Sequence, residues 1–437
     1  MEKSDKKEYP NILVISNNPF SKTSNNGKTL ASFFKAFPKD NIAQLYFNAE
    51  IAEEGLCENY YRISDVQVLK SIIFNKKAGG IVNPGITLKS NFDNYSIKST
   101  LLNLMSTSNF FRLLREIMWK CSKWKSNEFI TWLNDFSPDI IFFCAGDSIF
   151  AYEVSFFVKD ITEAKLVTYI TDDYVLPREN ASMFWQIRRK FVFKHMNQAV
   201  KDSSLFITIS EQMKDAYKNI FGKESVTALN MTDSMKIDDY SCDNLDEGVV
   251  NFIYAGGLHF KRYETLKLLA EALRTYNNQS TSKKAFLSIY STQTTSKRII
   301  NMLNVNGASS FCGGLSPENL KIKLNKSDIP VHVESFDSKS IESTKLSIST
   351  KIPEYLSLEK PILAIGPSEV ASMRFLSDTA FCITQKDEIY EKIDKLLNDE
   401  MLINELSKKS KHRYNDYYRF TTRASITEKI VQIYKDN

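Results

Sequence analysis

Short apolar runs recur along this chain, separated by stretches whose apolar residues fall at helical spacing. The runs are Asn11–Ser16, Asp139–Cys144, Lys165–Ile170 and Leu205–Ile209 in the first half. Val250–Ala255, Ala285–Tyr290, Ile329–Val333 and Pro361–Ile365 follow in the second. Several are apolar throughout rather than alternating, the pattern of strands covered on both faces. Strand–helix alternation of this kind predicts βαβ units and parallel sheets. Met231 to Gly248 is polar and acidic, with Asp238, Asp239, Asp243 and Asn244, and predicts a linker; periodicity resumes at Val249. The expectation is an α/β protein of two doubly wound domains meeting near residue 240. Ligands would bind outside the carboxyl ends of the strands, in a central cleft between the domains. Residues 55–95 show weak periodicity and predict no definite element, whereas Glu388 to Asn437 predicts helix.

Composition narrows the class. At 437 residues the chain is too long for one core and comfortable for two. Its 43% hydrophobic and 25% charged residues are ordinary for a globular protein. A net charge of +5 permits an anionic ligand or an anionic membrane surface without calling for nucleic acid. No apolar run approaches the roughly 18 residues of a spanning helix. Met1 to Tyr9 is polar and charged, unlike a secretory signal. The cysteines Cys57, Cys121, Cys144, Cys242, Cys312 and Cys382 are scattered, without a CxxC pair, which points to reduced thiols in a cytoplasm. The histidines His195, His259, His332 and His412 lie far apart, so no metal site is expected.

Three motifs carry candidate chemistry. Ser16 to Thr29 follows the first strand and opens a helix near Lys28; Gly27 there would let a ligand approach backbone amides that have no internal partner. The bland alternative is an ordinary βα loop, and the segment is not a GxxxxGK[ST] phosphate loop. Next, Tyr254-Ala255-Gly256-Gly257-Leu258-His259-Phe260-Lys261-Arg262 ends a strand in two glycines and places a basic pair before a helix. Cations at a helix start oppose the helix dipole, and Arg forks onto phosphate oxygens, so phosphate binding is the favoured reading of Lys261 and Arg262. Third, Ile329–Ser335 is followed by Ser349-Thr350-Lys351-Ile352-Pro353-Glu354 and the strand at Pro361. Pro353 suits the first turn of a helix, and Ser349, Thr350 and Lys351 with their amides form a candidate anion cradle. Glu354 could hold a ribose diol, or simply compensate the helix dipole.

These motifs resemble the retaining glycosyltransferases of the GT-B fold, in particular family 4 and its relatives in bacterial polysaccharide assembly. Leu205–Met213 through Phe221-Gly222 to Asp233 is similar to the family's last N-terminal unit. Gly256–Arg262 is similar to its glycine-rich loop, with Arg262 where the family keeps a diphosphate-binding Lys or Arg. Glu354, seven residues before Pro361, stands where the second Glu of the family's E-x(7)-E motif precedes a Gly-Lys-Pro tripeptide, written Glu359-Lys360-Pro361 in this chain. Glu334 and Glu342 also spell E-x(7)-E, but Glu342 lies too far from Pro361. Glu334 or Asp337 is then the candidate for the first motif Glu, with an insertion before Glu354. The family's His near the donor sugar has its counterpart position at Asp172.

The resemblance implies an acceptor-binding domain over 9–240 and a nucleotide-sugar domain over 249–412. A final helix, 413–437, would cross back to the first domain. It implies a hexosyltransferase taking a nucleoside diphosphate sugar, a UDP-sugar first of all, to a glycan, lipid-linked or protein acceptor in surface polysaccharide synthesis. Arg262, Lys261, Asp172 and Glu334 would be catalytic. Gly27, Gly256, Gly257, Ser349, Thr350, Lys351 and Glu354 would bind the donor, with no metal and no further cofactor. The alternatives are a nucleotide-sugar 2-epimerase of the same fold, for whose several acids and bases no set is identifiable, and an inactive GT-B scaffold. The pair Asp172-Asp173 after a strand raises a metal-dependent rival.

Two basic, aromatic segments, Phe110–Lys125 and Phe184–Lys194, give an apolar stripe beside a cationic face. Either they are core helices with charged outer faces, or they touch the anionic inner face of the plasma membrane. In the second reading Phe111, Trp119 and Trp124 sit at the headgroups and Arg112, Arg115, Lys120, Lys123 and Lys125 against acidic lipid.

Overall fold

The computed structural model describes residues 8–21, 25–53, 55–84, 108–179, 181–229, 234–237, 248–281, 283–415 and 423–436. The chain forms two compact units, Met1–Ala228 with Ala424–Asn437, and Leu229–Arg423. The boundary thus falls at Ala228 rather than near residue 240. Of the expected linker, residues 231–233 and 238–247 lie outside the described residues. Residues 234–237 belong to the second unit, where Met235 N–H donates to Ser357 Oγ (2.9 Å) and Ile237 N–H to Asn325 Oδ1 (3.0 Å).

The first unit is built on eight strands: β1 (Ile12–Ser16), β2 (Ile42–Tyr46), β3 (Asn59–Arg62), β4 (Gly80–Val82), β5 (Ile140–Ala145), β6 (Lys165–Ile170), β7 (Ser203–Thr208) and β8 (Val226–Thr227). Their order is β4-β3-β2-β1-β5-β6-β7-β8, all parallel except β4 against β3. Every position of β1 and β2 is buried, as continuous apolar strands between helical layers must be. The weakly periodic stretch holds β3, β4 and the helix Asp65–Ile73. Ser64 starts that helix with a capping box, its hydroxyl accepting from Gln67 N–H while the Gln67 side chain returns to Ser64 N–H. The helix Arg423–Lys435 belongs to this unit, where Lys165 Nζ donates to Ile433 O (2.8 Å).

The second unit has six parallel strands: β9 (Val249–Ala255), β10 (Lys284–Tyr290), β11 (Ser309–Gly313), β12 (Ile329–Val333), β13 (Leu363–Ile365) and β14 (Phe381–Ile383), in the order β11-β10-β9-β12-β13-β14. Leu266, Leu269 and Leu273 of helix Arg262–Gln279 pack against Phe252, Leu287 and Val331 in its core. β12 pairs with β9 only at Ile329 and Pro330, then turns to β13 from Val331 onward. Pro330 has no N–H to extend the ladder, so the carboxyl ends of β9 and β12 part where the strand order reverses. Glu359 adopts a left-handed conformation, φ 57°, at the position where the resembled motif carries glycine. The next residue, Lys360, donates from Nζ to Asn325 O (2.6 Å) and to the carbonyls of Leu324 and Ser327, closing the end of helix Pro317–Lys326.

Candidate functional site

In the second unit, the gap between β9 and β12 gathers most of the predicted residues. Arg262 opens the helix after β9, and its guanidinium grips Glu334, one residue beyond β12. Nη2 lies 2.9 Å from Oε2 and Nε lies 3.2 Å from it, a fork onto one carboxylate. Glu334 is 1% exposed. Burial opposes its charge, but Arg262, with His332 Nε2 at 3.3 Å, outweighs burial and holds the carboxyl at about 2. Burial likewise works against the charge on Arg262, and Glu334 more than restores it. Thr265 Oγ1 donates to Glu334 O (2.8 Å). Gly366 leaves room for that backbone; a Cβ there would lie 2.7 Å from Glu334 Cβ. In this structure the Glu334 carboxylate faces Arg262 and His332.

The glycine-rich loop is also more occupied than the sequence suggests. Tyr254 Oη donates to Gly257 O (2.6 Å), and the amides of Leu258 and His259 both donate to Gln293 Oε1, at 2.8 and 3.1 Å. A Cβ on Gly257 would lie 2.3 Å from the His259 ring, so the glycine makes room for that imidazole, whose Nε2 is 3.2 Å from Arg262 Nη1. A Cβ on Gly256 would lie 2.8 Å from Tyr254 Oη. Lys261 has φ 55° and pairs with Asp337 (2.6 Å), which draws the Asp337 carboxyl down. Asp337 also caps helix Ser338–Thr344, accepting from Ser340 N–H (3.1 Å).

The Ser349–Lys351 cradle is not the set of free amides expected. Ser349 N–H donates to Ser372 Oγ (3.1 Å), Lys351 N–H to Ser349 Oγ (3.4 Å) and Ile352 N–H to Ser349 O (3.2 Å). Thr350 is exposed at the start of helix Lys351–Leu356. The buried Glu354 accepts from Lys351 Nζ (2.9 Å). Its neighbour Tyr355 reaches the end of β9: Ala255 N–H donates to Tyr355 Oη (3.0 Å), which lies 3.3 Å from Ala255 O. Glu342 sits on the separate helix Ser338–Thr344.

In the first unit, a cavity of about 130 Å³ opens at the carboxyl ends of β1, β5 and β6, where that sheet's order reverses. Ser16, Asn17, Asn18, Asp147, Thr171 and Tyr174 line it. Gln44, buried in β2, accepts from Phe20 N–H (2.8 Å) and donates to Ser16 Oγ (2.8 Å), so it fixes the loop after β1. Asp147 pairs with Arg188 and Arg112. Burial would raise its carboxyl, and the two guanidiniums overcome that and hold it low. Asp147 and Gln44 were not singled out from sequence; the only signal was a Gly146-Asp147 step straight after an apolar strand.

Two expectations change in this unit. The space beside Gly27 is filled by Pro19 O, 2.2 Å from where a Cβ would stand, so the glycine serves internal packing. Asp172 sits beside the cavity, its Oδ2 accepting from Thr171 Oγ1 (3.3 Å) and Tyr174 Oη (3.4 Å). Asp173 is instead a buried loop anchor: Oδ1 accepts from Val175 N–H, Leu176 N–H and Tyr217 Oη. That removes it from a metal-binding pair, and no group of three possible metal ligands comes together among the described residues.

Two doubly wound α/β units with parallel sheets define the GT-B class of fold. Solved glycosyltransferases share it with this chain. It is similar to HepE of Anabaena in complex with UDP, at 13% identity and TM-score 0.61, over 98% of this chain and 100% of that one. It is similar to sucrose-phosphate synthase from Thermosynechococcus elongatus, at 13% identity and TM-score 0.60, over 97% and 98%. The third is WaaG, a glycosyltransferase involved in lipopolysaccharide biosynthesis, at 10% identity and TM-score 0.58, over 96% and 99%. No family model and no curated protein matches the sequence.

Proposed function

We propose that the chain is a retaining, metal-independent hexosyltransferase. It would take a nucleoside diphosphate sugar, a UDP-sugar first of all, and transfer the sugar to a glycan or lipid-linked acceptor in surface polysaccharide synthesis. The observation that carries this reading is Arg262 at the switch point of the second sheet, its guanidinium held in a fixed plane by Glu334. HepE has been solved with UDP-glucose on the same fold, which supports a donor of this kind.

Departure of the nucleoside diphosphate concentrates negative charge on its terminal phosphate. Glu334 engages the Nε–Nη2 edge of Arg262 and leaves Nη1 for that charge, with His259 as the partner to be displaced. Donors fixed in advance stabilise a developing charge without reorganisation, which is where their catalytic value lies. Lys261 adds a second cation once Asp337 releases it, and Glu354 takes the ribose hydroxyls. Attack on the face the leaving group departs from makes the departing phosphate the base. In the first unit, the cavity at Asn17, Asn18 and Asp147 would take the acceptor, since amides and an ionised carboxylate suit sugar hydroxyls. The protein would work in the cytoplasm, where nucleotide sugars are made.

Thermal denaturation with a panel of nucleotide sugars tests this. A ligand at a hundred times its Kd stabilises a protein by about 2.7 kcal/mol. One nucleoside diphosphate sugar should raise the melting temperature and be consumed when acceptor is added. No shift with any member of the panel would reject the reading.

A further inference from the structure

His332 on β12 and Glu334 just past its end stand two residues apart in extended chain, where Glu334 N–H continues the ladder to Ile365 O (2.8 Å). Their side chains therefore leave the same face of the sheet. Val331 and Val333 leave the other face and enter the core with Leu266, Leu269 and Leu273. His332 is 4% exposed, and its Nε2 is shut off from solvent. Among the described residues that nitrogen has no partner other than Glu334 Oε1, at 3.3 Å. A carboxylate only accepts, so the imidazole proton of this contact sits on Nε2. An apolar side chain would fill the same space without sequestering a ring nitrogen, which costs roughly 1–3 kcal/mol when left unmet. A histidine here calls for a role beyond packing.

Oε1 of Glu334 is a junction. Arg262 Nη2 lies 3.2 Å from it and 2.9 Å from Oε2, while Arg262 Nε lies 3.2 Å from Oε2. The backbone of Glu334 is pinned separately, by Thr265 Oγ1 on its carbonyl and by the Ile365 carbonyl on its amide. What remains to be fixed is the carboxylate, whose terminal torsion is soft and turns unless both oxygens are held. Arg262 alone is a poor anchor for that plane, because its guanidinium rides on a long side chain rich in rotamers. His332 projects from a strand of the central sheet, and a rigid element supplies the fixed point.

We infer that His332 is a positioning residue for Arg262: by holding Oε1 it sets the plane of the Glu334 carboxylate, and through it the plane of the guanidinium whose Nη1 Glu334 leaves unengaged. The relay itself stands on these three side chains; its consequence for turnover rests on the proposed transferase reading. There the charge on the departing phosphate grows as the sugar bond breaks. A guanidinium out of plane then loses more in the transition state than in the donor complex. A misplacement of about 1 Å is worth up to roughly a hundredfold in rate.

The test compares H332Q with H332N in the full chain. The Gln amide nitrogen reaches the position of Nε2 and can donate to Oε1; the Asn amide, one bond shorter, matches Nδ1 and cannot. The kcat of H332N should fall roughly ten- to a hundredfold with the donor KM within about twofold of its starting value, and H332Q should recover most of that loss. In an R262A background H332N should lower kcat no further, because the two residues act as a unit. Equal losses in both backgrounds, or equal losses in H332Q and H332N, would overturn the inference. Nitrogen-15 NMR of the arginine Nε–H groups supplies a readout that needs no turnover. The Arg262 resonance, identified by its loss in R262A, should exchange with solvent several-fold faster in H332N and return toward its original rate in H332Q. An Arg262 signal indifferent to H332N would also overturn the inference. If the unaltered chain transfers sugar from no donor, the transferase reading falls, and the NMR comparison still decides what His332 does.

Discussion

The hydroxyl of Tyr355 stands in for a strand at Ala255: it accepts the Ala255 N–H at 3.0 Å where β12 has already left β9. This holds the glycine-rich loop after β9 against the helix that carries Glu354. Tyr355→Phe should keep the packing but orphan a buried amide, at a cost of roughly 1–3 kcal/mol. Nucleotide-sugar affinity should fall with it. Equilibrium denaturation and a binding titration check this, and an unchanged affinity would show that loop and helix are placed independently.

Arg262→Ala should cut turnover by roughly 10²–10³, the scale for losing one preorganised donor to a developing charge. The buried ion pair adds a second consequence. Removing Arg262 strands the Glu334 carboxylate, which costs on the order of 3–5 kcal/mol. The double variant R262A/E334Q should regain most of the stability but not the turnover. Kinetics with calorimetry on both variants separate the effects, and full activity in either would sink the assignment.

Glu354→Gln should weaken donor binding, because an amide offers one acceptor oxygen to a diol where a carboxylate offers two. Glu342→Gln, on a separate helix, should leave donor binding alone. The reverse ranking in a binding titration would make the literal Glu334–Glu342 spacing the functional one.

Two carboxyls, Glu334 and Glu116, should respond to pH in opposite directions. Glu334 is held at about 2, below its ordinary 4.5, so its contribution is present above 4.5 and lost as pH falls toward 2. Burial pushes Glu116 of the first unit up to about 7, against the pull of the Phe150 and Ile149 amides and of Arg115 and Arg188. Its favourable protonation is present below 4.5 and lost as pH rises through 7. Denaturation followed by probes in each unit should show the first unit losing order 1–3 kcal/mol between pH 5 and 7. Glu116→Gln should flatten that slope, and a slope that persists in the variant would assign it elsewhere.

Much of the fold was written locally in the sequence. Short, largely apolar runs such as Ile12–Ser16 and Lys165–Ile170 fit strands covered on both faces, and helical spacing between them favours parallel crossovers. The candidate donor site was legible for the same reason, since ligands gather after strand ends and Arg262 and Glu334 each follow one. What lay out of reach was which polar groups satisfy one another. Glu334 meets Arg262 across 72 residues, and Tyr355 meets Ala255 across 100. Such pairings depend on where Pro330 parts β12 from β9, which no local pattern encodes. The helix 109–120 shows the limit most clearly: its sequence displays an apolar stripe and a charged stripe with equal plainness. Only the half-buried partners Asp65 and Asp147, brought from other elements, turn Arg112 and Arg115 inward and leave Phe110, Leu114 and Ile117 facing out.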